Sequence, residues 1–225
     1  MKPISWSVTE TKADPARSAR EFVADEPRDG VVFVEDAKAA PDVLRFTVVA
    51  KCGSETPLLL GLFAAFSASE GIRKDTGIIS WVRWPNAVTI EGKRVASTSA
   101  AVTESAGGTW AALDFQVNLL HDEVVGSTSL YDQLGVEVER TLLLDKTLES
   151  LSWMHFGWST GMHPQMLRRV TSMTEIVGGN VSVQKAGRRA SGVAMEIDGL
   201  GELVVRLDSG RIMKLKVGDE LLQQL

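Results

Sequence analysis

Arg83-Trp84-Pro85-Asn86-Ala87, followed by Gly92-Lys93-Arg94-Val95-Ala96, is the stretch on which the fold turns. The apolar run Ile78-Ile79-Ser80-Trp81-Val82 before it predicts a strand that ends at the Trp-Pro-Asn segment. Val88-Thr89-Ile90 and Val95 to Glu104 then flank a turn at Glu91-Gly92. A second turn at Ser105-Ala106-Gly107-Gly108 leads into a strand of alternating character from Thr109 to Leu120. Strands that meet through tight turns pair antiparallel, so the expected class is α+β rather than a doubly wound sheet.

Working outward, Val31-Val32-Phe33-Val34 and Phe46-Thr47-Val48-Val49-Ala50 read as buried strands. Between them lies only the short polar connection Glu35 to Arg45, which contains Pro41. A helix is expected from Pro15 to Ala24, with Asp14 as N-cap and Pro15 at its first position. Leu58 to Gly71 reads as a helix buried on most faces, introduced by Glu55-Thr56-Pro57. Ser129-Leu130-Tyr131-Asp132 begins a helical region. Arg140 to Trp158 carries an apolar period at Leu142, Leu143, Leu148, Leu151 and Met154. From Gly178 onward short strands alternate with turns at Ala186-Gly187, Asp198-Gly199 and Ser209-Gly210. That pattern predicts a small all-β module over 176–225, docked on a larger unit over 1–175 because it is too small to bury a core alone.

Composition narrows the function. The 225 residues are 44% hydrophobic and 24% charged, with a net charge of −5, so no electrostatic case exists for a nucleic-acid partner. The single cysteine, Cys52, can form no internal disulfide and fits a reducing cytoplasm. No signal peptide is expected at the start, and no run approaches the roughly 18 apolar residues of a membrane span.

The Trp-Pro-Asn strand end with its Gly-Lys hairpin resembles the central signature of the biotin protein ligases. Their strand ends in Lys-Trp-Pro-Asn-Asp and returns through Gly-Lys-Lys-(Leu/Val)-Ala-Gly. The resemblance extends along the chain. Pro57-Leu58-Leu59-Leu60-Gly61-Leu62 resembles the helix before that strand. Thr128-Ser129-Leu130 and Leu142 to Leu151 resemble the later helices. Gly179-Asn180-Val181-Ser182-Val183, with Gly192-Val193-Ala194, resembles the start of a C-terminal SH3-like barrel. It implies an α+β domain with a mixed sheet flanked by helices, followed by that β barrel. The sequence before Val8 is too short for the helix-turn-helix that some members carry, so a repressor role is not expected.

The family reaction joins biotin to ATP as an acyl-adenylate and then transfers it to a lysine of a biotin carboxyl-carrier protein. By resemblance, Arg83 stands where the family has its adenylate-contacting lysine, keeping the charge with a wider planar fork. Trp84, Asn86, Lys93, Asn118 and Thr11 are the implied ligand-binding residues, with Trp84 at the cleft and Trp110 as a sheet neighbour. Other contact motifs have changed. Glu35-Asp36-Ala37-Lys38-Ala39-Ala40-Pro41 replaces a glycine- and arginine-rich phosphate loop, and Ala87 replaces an aspartate. Asp114 and Gln116 occupy glycine positions of the nucleotide strand, where only Asn118 matches. Thr11 alone matches in the Ser-Thr-Asn biotin contact.

The changes favour a degenerate ligase-like protein retained for binding a small molecule, such as a small acyl ligand, or a partner. No covalently bound cofactor is expected. The alternative is an active ligase, which would need ATP and biotin. Acyl transfer through Cys52 is a third reading, without a clear base beside the thiol. His121, His155 and His163 lack carboxylates at metal-ligand spacing, so no metal site is expected. Ser127 and Ser129 near His121 lack the Gly-x-Ser-x-Gly turn of a hydrolase.

Overall fold

The computed structural model describes residues 4–105, 107–120, 124–216 and 218–224. Its first sheet has seven strands. These are β1 (Ser7–Thr11), β2 (Val31–Glu35), β3 (Val43–Cys52), β4 (Trp81–Arg83), β5 (Ala87–Ile90), β6 (Lys93–Ser105) and β7 (Gly108–Asn118). Their order is β1-β2-β3-β7-β6-β5-β4. β1 and β2 run parallel and every other pair antiparallel, so the sheet is mixed. β1 had no clear sequence signal, because four of its five residues are exposed at the sheet edge.

Five helices surround this sheet: α1 (Pro15–Asp25), α2 (Pro57–Thr76), α3 (Leu130–Leu134), α4 (Arg140–Ser159) and α5 (His163–Ser172). Local chemistry starts the first two. The Asp14 carboxylate accepts from the Ala16 amide at 2.8 Å, and the Thr56 hydroxyl accepts from Leu59 at 3.1 Å. Gly77, at φ +76°, ends α2 in the left-handed region that glycine adopts without strain. α4 keeps its expected bounds to within a residue, but Leu142 of its apolar series is 41% exposed while Leu143 and Leu144 are buried. α5 follows a bend at Gly161 and was not anticipated, since Pro164 reads as a breaker unless it opens a helix.

A second, antiparallel sheet comprises β8 (Asn180–Lys185), β9 (Arg188–Ile197), β10 (Leu203–Leu207), β11 (Ile212–Leu215) and β12 (Glu220–Gln224), in the order β11-β10-β9-β8-β12. One hydrophobic core joins both sheets, from Leu44, Phe46 and Val48 of β3 through α2 and α4 to Val181, Ala194 and Leu203. α2 covers one face of the seven-stranded sheet. On the other, α1 buries Ala19 and Val23 against Val49, Trp110 and Ala112. α1 reaches only part of that face, and the remainder is open.

Candidate ligand-binding cleft

Register defines the open face. Arg45, Gln116, Ser97, Ala87 and Arg83 stand opposite one another in one row across β3, β7, β6, β5 and β4. Directly paired residues share a face, and residues two apart along a strand share it too. Thr47, Ser99, Asp114 and Asn118 therefore lie on the side of Gln116, while Leu44, Val117, Ala96, Val88 and Val82 form the buried row behind.

A cavity of about 480 Å³ lies on this face, floored by Thr47, Ser97, Ser99, Asp114 and Gln116. The N-terminus of α1 (Asp14, Pro15 and Ala16) and the Glu35 and Arg45 side chains form its rim. Asp114 is held from both sides, accepting from the Thr47 hydroxyl at 2.7 Å and the Ser99 hydroxyl at 3.0 Å. Arg45 approaches Glu35 at 3.5 Å, so the rim guanidinium already has a carboxylate partner. A second cavity of about 330 Å³ adjoins the first through Ser97 and Gln116 and is lined by Arg94, Asn118 and Val43. The two form one polar trough along β6 and β7.

The β2–β3 connection, where the resemblance places a phosphate loop, is closed on itself. The Asp36 amide donates to Thr11 O at 3.0 Å, and the Ala39 and Ala40 amides donate to Asp36 O at 3.0 and 3.2 Å. The Lys38 amide donates to the Asp36 carboxylate at 2.8 Å. From outside, Nη1 of Arg140 on α4 donates to the carbonyls of Ala40, Pro41 and Val43 at 2.7, 3.3 and 2.9 Å. Four loop amides are thus occupied, and Nη1 of the partly buried Arg140 serves backbone carbonyls, while its buried Nη2 has no hydrogen-bond partner.

The residues singled out by sequence separate in space. Asn86 lines the larger cavity, with its amide donating to Thr98 O at 2.6 Å. Asn118 lines the smaller one, buried, and donates to Thr128 O at 3.2 Å. Arg83 belongs to the row on this face but, at the edge strand, lines neither cavity. Thr11 shapes the β1–α1 turn, accepting from the Ala13 amide at 3.1 Å, and Lys93 is exposed at the β5–β6 turn. Trp84 is not a cleft residue. It is 2% exposed on the core face, and its indole donates to Gly201 O at 2.9 Å, joining the strand end to the second sheet. The residue follows the end of β4 and stays on the core side with Val82, opposite Arg83. Trp110 also lies away from the trough, beneath α1. Sequence reading missed Arg45, Arg94 and Arg140. The alternation of Arg45 and Thr47 with Phe46 and Val48 was the available signal for an open face.

Other reactive groups are committed elsewhere. Burial, with the charges of Glu55, Glu104 and Asp29, pushes the Cys52 thiol up to about 11, which leaves almost no thiolate at neutral pH. His155 sits 3.2 Å from Asp29, and His163 2.5 Å from Glu55. Among the described residues no three His, Cys, Asp or Glu side chains gather as a metal site requires.

Solved structures match this architecture over its whole length. A biotin protein ligase from Aquifex aeolicus superposes with a TM-score of 0.78 at 18% identity, over 100% of both chains. The same enzyme in complex with biotin and ATP gives 0.76 at 17% identity, over 100% of this chain and 99% of that one. A biotin protein ligase-like protein of unknown function from a Silicibacter species gives 0.77 at 19% identity, over 96% of each. No protein-family model and no curated protein matches the sequence. The chain therefore has the biotin protein ligase-like fold, an α+β architecture with a mixed sheet, flanking helices and a small C-terminal antiparallel sheet. No described helix is long and apolar enough to cross a membrane.

Proposed function

We propose that this protein is a degenerate biotin protein ligase-like protein that binds a small polar ligand, neutral or cationic, in the trough and does not make an acyl-adenylate. The closed β2–β3 loop carries the reading. Adenylation brings a carboxylate to a triphosphate, which requires donors and positive charge at the reacting centre. Here the amides of Asp36, Lys38, Ala39 and Ala40 are occupied, and Nη1 of Arg140 is engaged by the carbonyls that frame the loop. Asp114 at the floor opposes an anion further. A like charge about 4 Å away is unfavourable by about 1–4 kcal/mol between aqueous and protein-surface dielectric values.

The second reading, an ATP-dependent ligase acting on a biotin carboxyl-carrier protein, draws support from the three guanidinium groups of Arg45, Arg83 and Arg94 on or beside the trough. Biotin-dependent exchange of pyrophosphate into ATP separates the two. We expect no exchange from the native protein. Turnover equal to that of the Aquifex aeolicus enzyme in the same assay would establish the second reading. The proposal further takes residues 176–225 as an SH3-like barrel domain beside a 1–175 ligand-binding domain, acting in the cytoplasm without nucleic acid.

A further inference from the structure

Three glycines are buried inside helices: Gly61 and Gly71 in α2, and Gly157 in α4. Glycine weakens a helix interior relative to alanine, so each position calls for a reason. For two of them the reason is close approach. A Cβ at Gly71 would land on Thr147 of α4, and one at Gly157 on Met166 of α5. Gly61 differs. Although it is buried, a Cβ there would meet nothing within 4 Å beyond its own helical turn.

The open space belongs to a slot of about 160 Å³ between the start of α2, the Pro85 strand end, β6 at Ala100 and Gly218 of the β11–β12 connection. Pro57, Leu58, Gly61, Pro85 and Ala100 line it. Thr98 and Ala100 face α2, opposite Ser97 and Ser99, so the slot lies behind the sheet and meets the larger cavity only round the edge of β6, at the shared Asn86 and Ser99. Their chemistry contrasts. The trough is floored by hydroxyls, an amide and a carboxylate, whereas the slot is mainly apolar away from the shared Asn86 and Ser99, whose side chains already donate to Thr98 O and to Asp114. Gly61 O is already engaged, accepting from the Thr98 hydroxyl at 2.9 Å. A charged group placed there would lose its hydration without compensation, while an aliphatic chain would gain by leaving water.

We propose that the slot is a subsite for a short unbranched aliphatic tail, carried by a ligand whose polar head lies in the trough. The inference rests on the ligand-binding reading above. The missing side chain at Gly61 sets the slot's width, which explains a buried helical glycine that packing does not require.

The test is a chain-length series of n-alkylammonium ions, methyl to hexyl, titrated into the full chain by calorimetry, with n-butanol as a neutral probe. Affinity should rise about fourfold per methylene until the slot is full, as expected for burying one CH₂ at a time. Gly61→Leu fills the slot; it should keep methylammonium binding and lose the gain with chain length. Gly61→Ala should fold with a melting temperature higher by about 2–4 °C, the size of a helical glycine-to-alanine gain in a chain of this length. Methylammonium binding without any gain from chain length overturns the slot and leaves the cleft reading standing. Butanol binding abolished by Gly61→Leu, with no amine bound, upholds the slot and rules out a cationic head in the trough. Binding of neither class overturns the inference, as does a chain-length gain that survives in Gly61→Leu or a Gly61→Ala variant that loses stability.

Discussion

Replacing Arg140 by alanine should release the β2–β3 connection from α4. Three bonds from Nη1 to Ala40, Pro41 and Val43 carbonyls disappear, of which those at 2.7 and 2.9 Å are well formed and the one at 3.3 Å is weak. A hydrogen bond from a charged donor contributes about 1.5–3 kcal/mol net, and the half-exposed loop argues for the low end. Two such bonds give about 3 kcal/mol. Part of this is offset, because burial already pulls the guanidinium below its ordinary range, against the nearby charges of Glu35, Asp36 and Glu10. The expected loss is therefore about 2–3 kcal/mol, or about 4–12 °C in melting temperature for a chain of this size. Urea denaturation of wild type and variant, compared at constant slope, measures it. Arg140→Lys should recover part of the loss, since it keeps the positive charge but carries it as a compact, strongly hydrated ammonium on a flexible stem. Hydrogen exchange at the Lys38, Ala39 and Ala40 amides should accelerate in Arg140→Ala. A stability change under about 0.5 kcal/mol, typical of an ordinary surface substitution, would refute the argument that Arg140 holds the loop closed.

Trp84→Phe should remove the indole donor and leave Gly201 O unsatisfied at the junction of the two sheets, destabilising the protein by about 1–3 kcal/mol with little effect on ligand binding. A loss of binding without a loss of stability would return Trp84 to the cleft. Asp29 provides a pH test. Burial acts to raise its pKa, but the His155 imidazole 3.2 Å away, the 2.9 Å hydrogen bond from the Lys51 amide and the Lys51 charge outweigh it and hold the carboxyl below its ordinary value of 3.8. A depressed carboxyl stabilises the fold above the unfolded pKa, and that contribution is lost as pH falls through the folded value. Asp29→Asn should therefore lower the urea midpoint at pH 7, with the gap closing as the pH is taken below about 4, the region of the unfolded carboxyl. A gap that persists undiminished at pH 2 would show that Asp29 acts through packing alone.

Much of the architecture can be read along the chain because its signals are local. Asp14 and Thr56 bond amides two or three residues away, and Gly77 and Gly92 adopt positive φ within their own turns. The apolar periods of α2 and of the strands, and the glycine-spaced strands of the second sheet, are likewise properties of short windows. They determined the α+β class, and of the residues called from the Trp-Pro-Asn hairpin Asn86 lines the larger cavity while Arg83, Trp84 and Lys93 line neither cavity. What a side chain does at the site depends on partners far away in sequence. Trp84 finds Gly201, Arg140 finds Ala40, and Asp114 finds Thr47 and Ser99 only after the strands take their register. An aromatic residue at a strand end suits a cleft wall and a buried junction equally well, and the one-residue alternation of the pleat decides between them. The same holds for Gly61, whose empty space is created by elements that converge from 57, 85 and 100. Short-range spacing thus specified the elements, whereas register and packing between distant segments decided which groups face the trough.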